Sequence, residues 1–259
     1  MKPVKALTLL AAMVVLTVSA SRIALAQEPE LISEPALFHS HVYFDFGTGA
    51  MYVPKGGATT ELAGDVYNNT NPAAPANFGL SSTDLFAQWG DRLNTTGPGT
   101  LQENDFTIYN SPSSAGALEA ATFRIDLFEG GTFQGLGGYT TGSVNFGAGL
   151  PPGFFSIVTI TGLGGLNINI NTTDVVMLQQ VDPTSGGATR LGIASLDPPT
   201  IGSSANTMWI SAATINGGAN GFYNVGNPPL NANPGYRVNV NQPVPTQTQS
   251  WGSLKALYH

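Results

Sequence analysis

Pro151-Pro152-Gly153-Phe154-Phe155-Ser156-Ile157-Val158-Thr159-Ile160-Thr161-Gly162 decides the reading of the fold. A double proline and a glycine end whatever precedes the run, and Gly162 closes it. Phe154 to Thr161 is almost wholly aromatic or β-branched. Such side chains suit a pleated surface and lose rotamer freedom in a helix. The stretch therefore predicts a strand with punctuation at both ends. Phe155 and Ile157 fall on one face, Phe154, Val158 and Ile160 on the other. A second layer or a covering loop must bury the far side.

The rest of the chain supplies further strands. Residues 39–46 alternate polar and apolar, which places His39 and His41 on one face. Residues 121–128 alternate more cleanly, with Phe123, Ile125 and Leu127 against Thr122, Arg124, Asp126 and Phe128. Shorter apolar runs occur at 85–93, 101–109, 139–146, 166–170, 174–181, 190–196, 207–211 and 236–240, and 47–77 suggests loops and an edge hairpin. Asp182-Pro183 with Gly186-Gly187 reads as a turn, as does Asp197-Pro198-Pro199. About ten to twelve short strands with Gly/Pro/Asn turns and no long helical period predict an all-β fold. The expected architecture is an antiparallel β-sandwich, jelly-roll-like. A parallel α/β fold is disfavoured because no crossover helices are available.

The ends carry addresses rather than fold. Lys2 and Lys5, the apolar run 7–18 and Ala24-Leu25-Ala26 form a secretory signal pattern over 1–26. The run is too short for a comfortable membrane span of about 20 residues. Residues 27–37 read as an acidic lead-in, 38–241 as the sandwich, 242–249 as a Pro/Thr/Gln linker and 250–259 as a tail. Without Lys2, Lys5 and Arg22, six basic residues face sixteen acidic ones. That balance excludes a nucleic-acid backbone as partner. The chain has no cysteine, which rules out thiol nucleophiles, iron–sulfur clusters and thiolate zinc sites, and favours a bacterial exported protein over a disulfide-stapled one. No further membrane span is expected in the mature chain.

Several blocks combine into a resemblance. They are FAQWGDRL (86–93), TFRIDLFEG (122–130), GLPPGFFSIVTITGL (149–163), GIASLDPPTIGSS (192–204), Trp209 and GFYNVGNPP (221–229). Their order over roughly 84–240 resembles a family of exported β-sandwich proteins of unknown function from planctomycetes and related bacteria, often of PEP-CTERM type. The resemblance implies export and a sandwich, and brings no catalytic residues. The chain departs from that family at its end: no Pro-Glu-Pro motif, apolar span or basic cluster follows Val240. Its tail, with Trp251, Lys255 and Tyr258, resembles the endings of other exported bacterial proteins, which implies a different sorting or anchoring signal. The alternative is a segment docked on the sandwich.

Candidate chemistry is sparse. A His39–His41 pair lacks a third metal ligand. No Gly-x-Ser-x-Gly elbow accompanies the few histidines, and nothing pairs Asp91, Asp126 and Glu129 as a glycosidase requires. No enzyme is expected. No cofactor is expected; the likeliest inorganic partner is calcium, through carboxylates near turns such as Asp91 and Asp197. The expected role is structural or adhesive, at a bacterial surface or matrix, with an extracellular polysaccharide or surface protein as partner. The alternative is a carbohydrate-binding module using exposed aromatics, with Trp89, Trp209 and Tyr223 as candidates among Phe128, Tyr139 and Phe222. Core or rim packing of the tryptophans is the competing reading.

Overall fold

A computed structural model describes residues 32–53, 63–73, 76–205, 207–211, 220–223 and 233–241. The signal pattern, the linker and the tail with Trp251, Lys255 and Tyr258 lie outside them. In chain order the strands are β1 (Ile32–Pro35), β2 (Leu37–Asp45), β3 (Met51–Tyr52), β4 (Asp65–Asn68), β5 (Ala76–Ser82) and β6 (Gln88–Asn94). They continue with β7 (Gly99–Asn110), β8 (Leu118–Glu129), β9 (Gly135–Thr140), β10 (Val144–Leu150), β11 (Phe154–Thr161) and β12 (Asn169–Ile170). The last are β13 (Asp174–Gly186), β14 (Leu191–Asp197), β15 (Ser203–Ser204), β16 (Met208–Ile210), β17 (Gly221–Tyr223) and β18 (Tyr236–Asn241). Among the described residues there is no α-helix, only a 3-10 turn at Leu163–Leu166, and so no helix long and apolar enough to cross a membrane.

The strands form two sheets, an all-β sandwich. The first runs β1-β5-β14-β7-β11-β2-β3, with β12 and β18 also on β7 and β4 on β18. The second runs β10-β8-β13-β6-β16-β17, with β9 on β8 and β15 on β6. The main core lies between them: Val42, Phe106, Ile108, Val158 and Val238 of the first sheet meet Phe123, Ile125, Val175 and Met177 of the second.

The stretch that decided the fold is β11, and it is buried on both faces as its composition requires. Val158 and Ile160 enter the main core. Phe155 and Ile157 enter a separate cluster with Ala36, Tyr109, Ala194 and Leu196. That cluster exists because the first sheet curls. Only Ala36 separates β1 from β2, yet β1 pairs with β5 and β2 with β11, on opposite sides of β7. The roll closes over the far face of β11. Residues 32–35, expected in the lead-in, are thus a strand of the sheet.

Three local expectations change. β11 pairs antiparallel with β7 but parallel with β2, so the sandwich is not purely antiparallel. No crossover helix is needed because more than a hundred residues, running through both sheets, separate the two strands. Second, Phe38 and Ser40 pair with the adjacent Phe155 and Ser156, which leaves His39 as the extra residue of a β-bulge. The bulge splits the histidines. His39 packs edge-on to Phe154, while His41 Nε2 lies 2.6 Å from Thr159 Oγ1 on the opposite face. Third, Pro183 lies inside β13 rather than in a turn. Pairing with β6 stops at Gln180 and the register with β8 shifts after Pro183, the two settings in which a strand accepts proline.

Candidate functional site

The outward face of the second sheet follows from alternation. Phe123, Ile125 and Leu127 of β8, Val175 and Met177 of β13, and Trp89 of β6 point inward. Their neighbours Arg124, Asp126, Phe128, Val176, Leu178, Gln180, Gly90 and Arg92 therefore point outward. Register aligns them in rows: Asp126, Leu178, Gly90 and Trp209 lie side by side across β8, β13, β6 and β16.

One half of this face is aromatic. Trp209 and Phe222 are cross-strand partners with rings 5.3 Å apart and edge-on. Phe133, in the turn between β8 and β9, reaches both, at 5.2 Å from Trp209 and 6.2 Å from Phe222, and also lies 6.2 Å from Phe128. Since β13 and β6 separate β8 from β16, the Phe133 ring crosses the face above them. On β13, Val176 and Leu178 are buried although they point outward.

The turn is held in that posture from below. Gly130 N–H donates to Asp174 O at 2.8 Å, and a Cβ at Gly130 would collide with the Asp174 carboxylate. Arg92 Nε donates to Asp174 Oδ1 at 2.7 Å, and Nη2 reaches the second oxygen. Those hydrogen bonds hold the Asp174 carboxyl below its usual range and raise the Arg92 guanidinium. The turn leaves Phe133 with φ 54°, a left-handed conformation that is an outlier for a bulky side chain, and 40% exposed. Among the described residues, Trp209 Nε1 is buried without a hydrogen-bond partner. Packing alone does not favour such a donor, whose burial costs about 1–3 kcal/mol.

The other half of the face is polar. Thr122, Arg124, Thr140, Gln180 and Asp182 line a shallow depression of about 180 Å³. Arg124 Nε forms an ion pair with Asp126 Oδ2 at 2.8 Å. Asp126 leans over Gly138, where a Cβ would come within 2.7 Å of its Oδ1.

The residues expected from the sequence fare differently. Trp209 is on this face. Trp89 is 2% exposed and packs inward with Leu80, Met208 and Ile210, so it is a core residue. Tyr223 sits opposite Met208 and packs against the same inner cluster. Tyr139 is buried and donates to Asn104 Oδ1 at 2.7 Å. Asp91 lies within β6 rather than at a turn. It points inward, fully buried, and accepts from Ser204 Oγ at 2.7 Å and from Arg92 N–H. Burial pushes its carboxyl well above the usual range. Asp197 ends β14 in the first sheet, whereas Asp91 lies on β6 of the second. Among the described residues no group of three or more His, Asp or Glu is placed to hold a metal ion.

Sequence reasoning missed Phe133, because a turn residue lies outside any strand period. It also missed the polar depression, although the alternation of β8 already put Thr122 and Arg124 on the outward face.

No protein-family model, curated protein or solved structure matches the chain. What fold and site together define is an all-β sandwich with a mixed aromatic and polar outer face.

Proposed function

We propose that this chain is an exported, non-enzymatic bacterial protein with a structural or adhesive role at the cell surface or in the matrix. Its adhesive surface is the outward face of the second sheet. One observation carries the reading: Phe133 is an exposed aromatic in a strained backbone, fixed over Trp209 and Phe222 by a turn that Arg92 and Asp174 pin. Strain at an exposed side chain signals a function that the surrounding structure sustains. The signal pattern of residues 1–26, the acidic and charge-poor composition and the family resemblance support export.

The test is retention of purified protein on bacterial envelope and matrix fractions. Wild type is expected to be retained, and Phe133→Gly to be lost to the wash while its unfolding curve stays close to that of wild type. Equal retention of both would remove this face from the proposal. Turnover of a polysaccharide or ester by the purified protein would overturn the non-enzymatic reading.

A further inference from the structure

Resting on that reading, we infer that the outward face of the second sheet binds a neutral polysaccharide chain laid across the strands, one segment on the aromatic half and another in the polar depression. Three observations point to that ligand class.

The first is the pairing of chemistries. A sugar ring presents C–H faces, which pack on aromatic rings, and a rim of hydroxyls that both donate and accept. Phe133, Trp209 and Phe222 supply the first surface. The depression supplies the second: Arg124 donates, Asp182 accepts, and Gln180, Thr122 and Thr140 do both. A standard protein interface buries about 800 Å² on each partner, around a core enriched in aromatic side chains. Here only Phe133 of the aromatic group is strongly exposed.

The second is charge. Arg124 is already paired with Asp126, and Asp182 adds an anion to the depression. The chain as a whole carries a net charge of −7. An acidic glycan or a nucleic acid would meet like charge both locally and at long range.

The third is span. Trp209, Gly90, Leu178 and Asp126 are register neighbours on four adjacent strands. Three strand spacings separate the first from the last, roughly 14 Å. Arg124 and the depression lie beside Asp126 on β8. One sugar ring cannot touch both halves, so the ligand is a chain. Gly90 leaves the middle of this row low, with Leu178 lying against the place a Cβ would take.

The experiment is affinity electrophoresis of the full chain in gels containing neutral polysaccharides (β-glucan, xylan, galactomannan, starch) or acidic ones (alginate, heparin). Competition by sugars of increasing length follows on any polymer that retards it. The expected result is retardation by at least one neutral polymer and none by the acidic ones. A monosaccharide should fail to compete where an oligosaccharide succeeds. Phe133→Gly and Arg124→Ala, on opposite halves and both with exposed side chains, should each weaken binding about tenfold or more. Retardation by no neutral polymer, by acidic polymers alone, or unchanged in both variants overturns the inference. The broader adhesive reading fails separately. If retention on envelope fractions needs Phe133 but is abolished by protease treatment of the fraction, the partner is a protein and only the ligand class falls.

Discussion

The ring of Phe133 lies 5.2 Å from that of Trp209, although two strands of the sheet separate the elements that carry them. The contact ties the β8–β9 turn to the β16–β17 hairpin across an outward face. It is made by a residue whose own backbone is strained. Two opposing terms therefore meet at Phe133. A left-handed conformation costs a non-glycine residue about 1–2 kcal/mol. Packing of a ring that stays 40% exposed returns a similar amount, about 1–2 kcal/mol.

Phe133→Gly should accordingly change stability little, by about 1 kcal/mol or less in either direction, because strain and packing are lost together. Phe123→Ala, which empties a fully buried site beside Phe106, should cost about 3–5 kcal/mol. Urea unfolding of the two variants checks the contrast. A Phe133→Gly loss as large as that of Phe123→Ala would make Phe133 a structural pillar rather than a surface element.

Asp91 gives a pH-dependent prediction. Its carboxyl is fully buried and its partners are one hydroxyl and one backbone N–H, so burial raises it well above the usual range. A raised carboxyl favours the folded state fully below the unfolded value near 4, and that contribution is lost as pH rises through the folded value. Asp91→Asn keeps an acceptor for Ser204 and removes the charge. The variant should therefore be more stable than wild type at pH 8, by an amount of order 1–3 kcal/mol, with the gap closing toward pH 4. Unfolding midpoints measured across that range decide it, and a gap that does not vary with pH refutes it.

His41 titrates in the opposite sense. Burial, followed by the nearby Arg237, lowers its imidazole to about 4, and its ring is stacked on Tyr43 and bonded to Thr159. The folded state thus holds it neutral. Its contribution is complete above the unfolded value of 6.5 and is lost as pH falls from there toward about 4. The shift corresponds to at most about 3 kcal/mol. His41→Gln should flatten the acid limb of the stability profile between those limits. An unchanged slope would mean that His41 is open to water in solution.

How much of this was legible beforehand depends on distance along the chain. The two-faced burial of β11 was legible because it is written in consecutive residues, and so was the inward set of β8. The parallel partner of β11 was not, since Leu37 to Asp45 pairs with it across more than a hundred residues and no local pattern encodes that choice. A single bulge at His39 reversed the facing of one histidine, a one-residue change invisible to a period of two. Asp91 reads as a surface carboxylate by type, and only the inward position it shares with Trp89 and Leu93 in β6 reveals its burial. At the candidate site, Trp209 was accessible to sequence reasoning because tryptophan is conspicuous. Phe133 was not, because its role depends on where a turn folds.

Arg237 gathers three acidic groups around one buried cation. Its guanidinium reaches Asp105 at 2.8 Å, Asp65 at 3.2 Å and Glu103 at 3.0 Å, and both aspartates are buried. Burial raises the Asp105 carboxyl despite the opposing pull of Arg237. Burial also works against the guanidinium, but Asp105, Asp65 and Glu103 together offset it and the group is raised overall. Replacing Arg237 by Met removes the cation and leaves the carboxylates desolvated. Breaking a buried pair in this way costs about 3–5 kcal/mol. The loss should be greatest at neutral and alkaline pH and smaller near pH 4, because a raised carboxyl that has taken up its proton no longer needs the guanidinium. Adding Asp105→Asn to Arg237→Met removes one of the stranded charges, so the double variant should recover part of the loss at pH 8 and little at pH 4. Equal stability of the single and double variants at both pH values would show that Asp105 is not the group Arg237 neutralises.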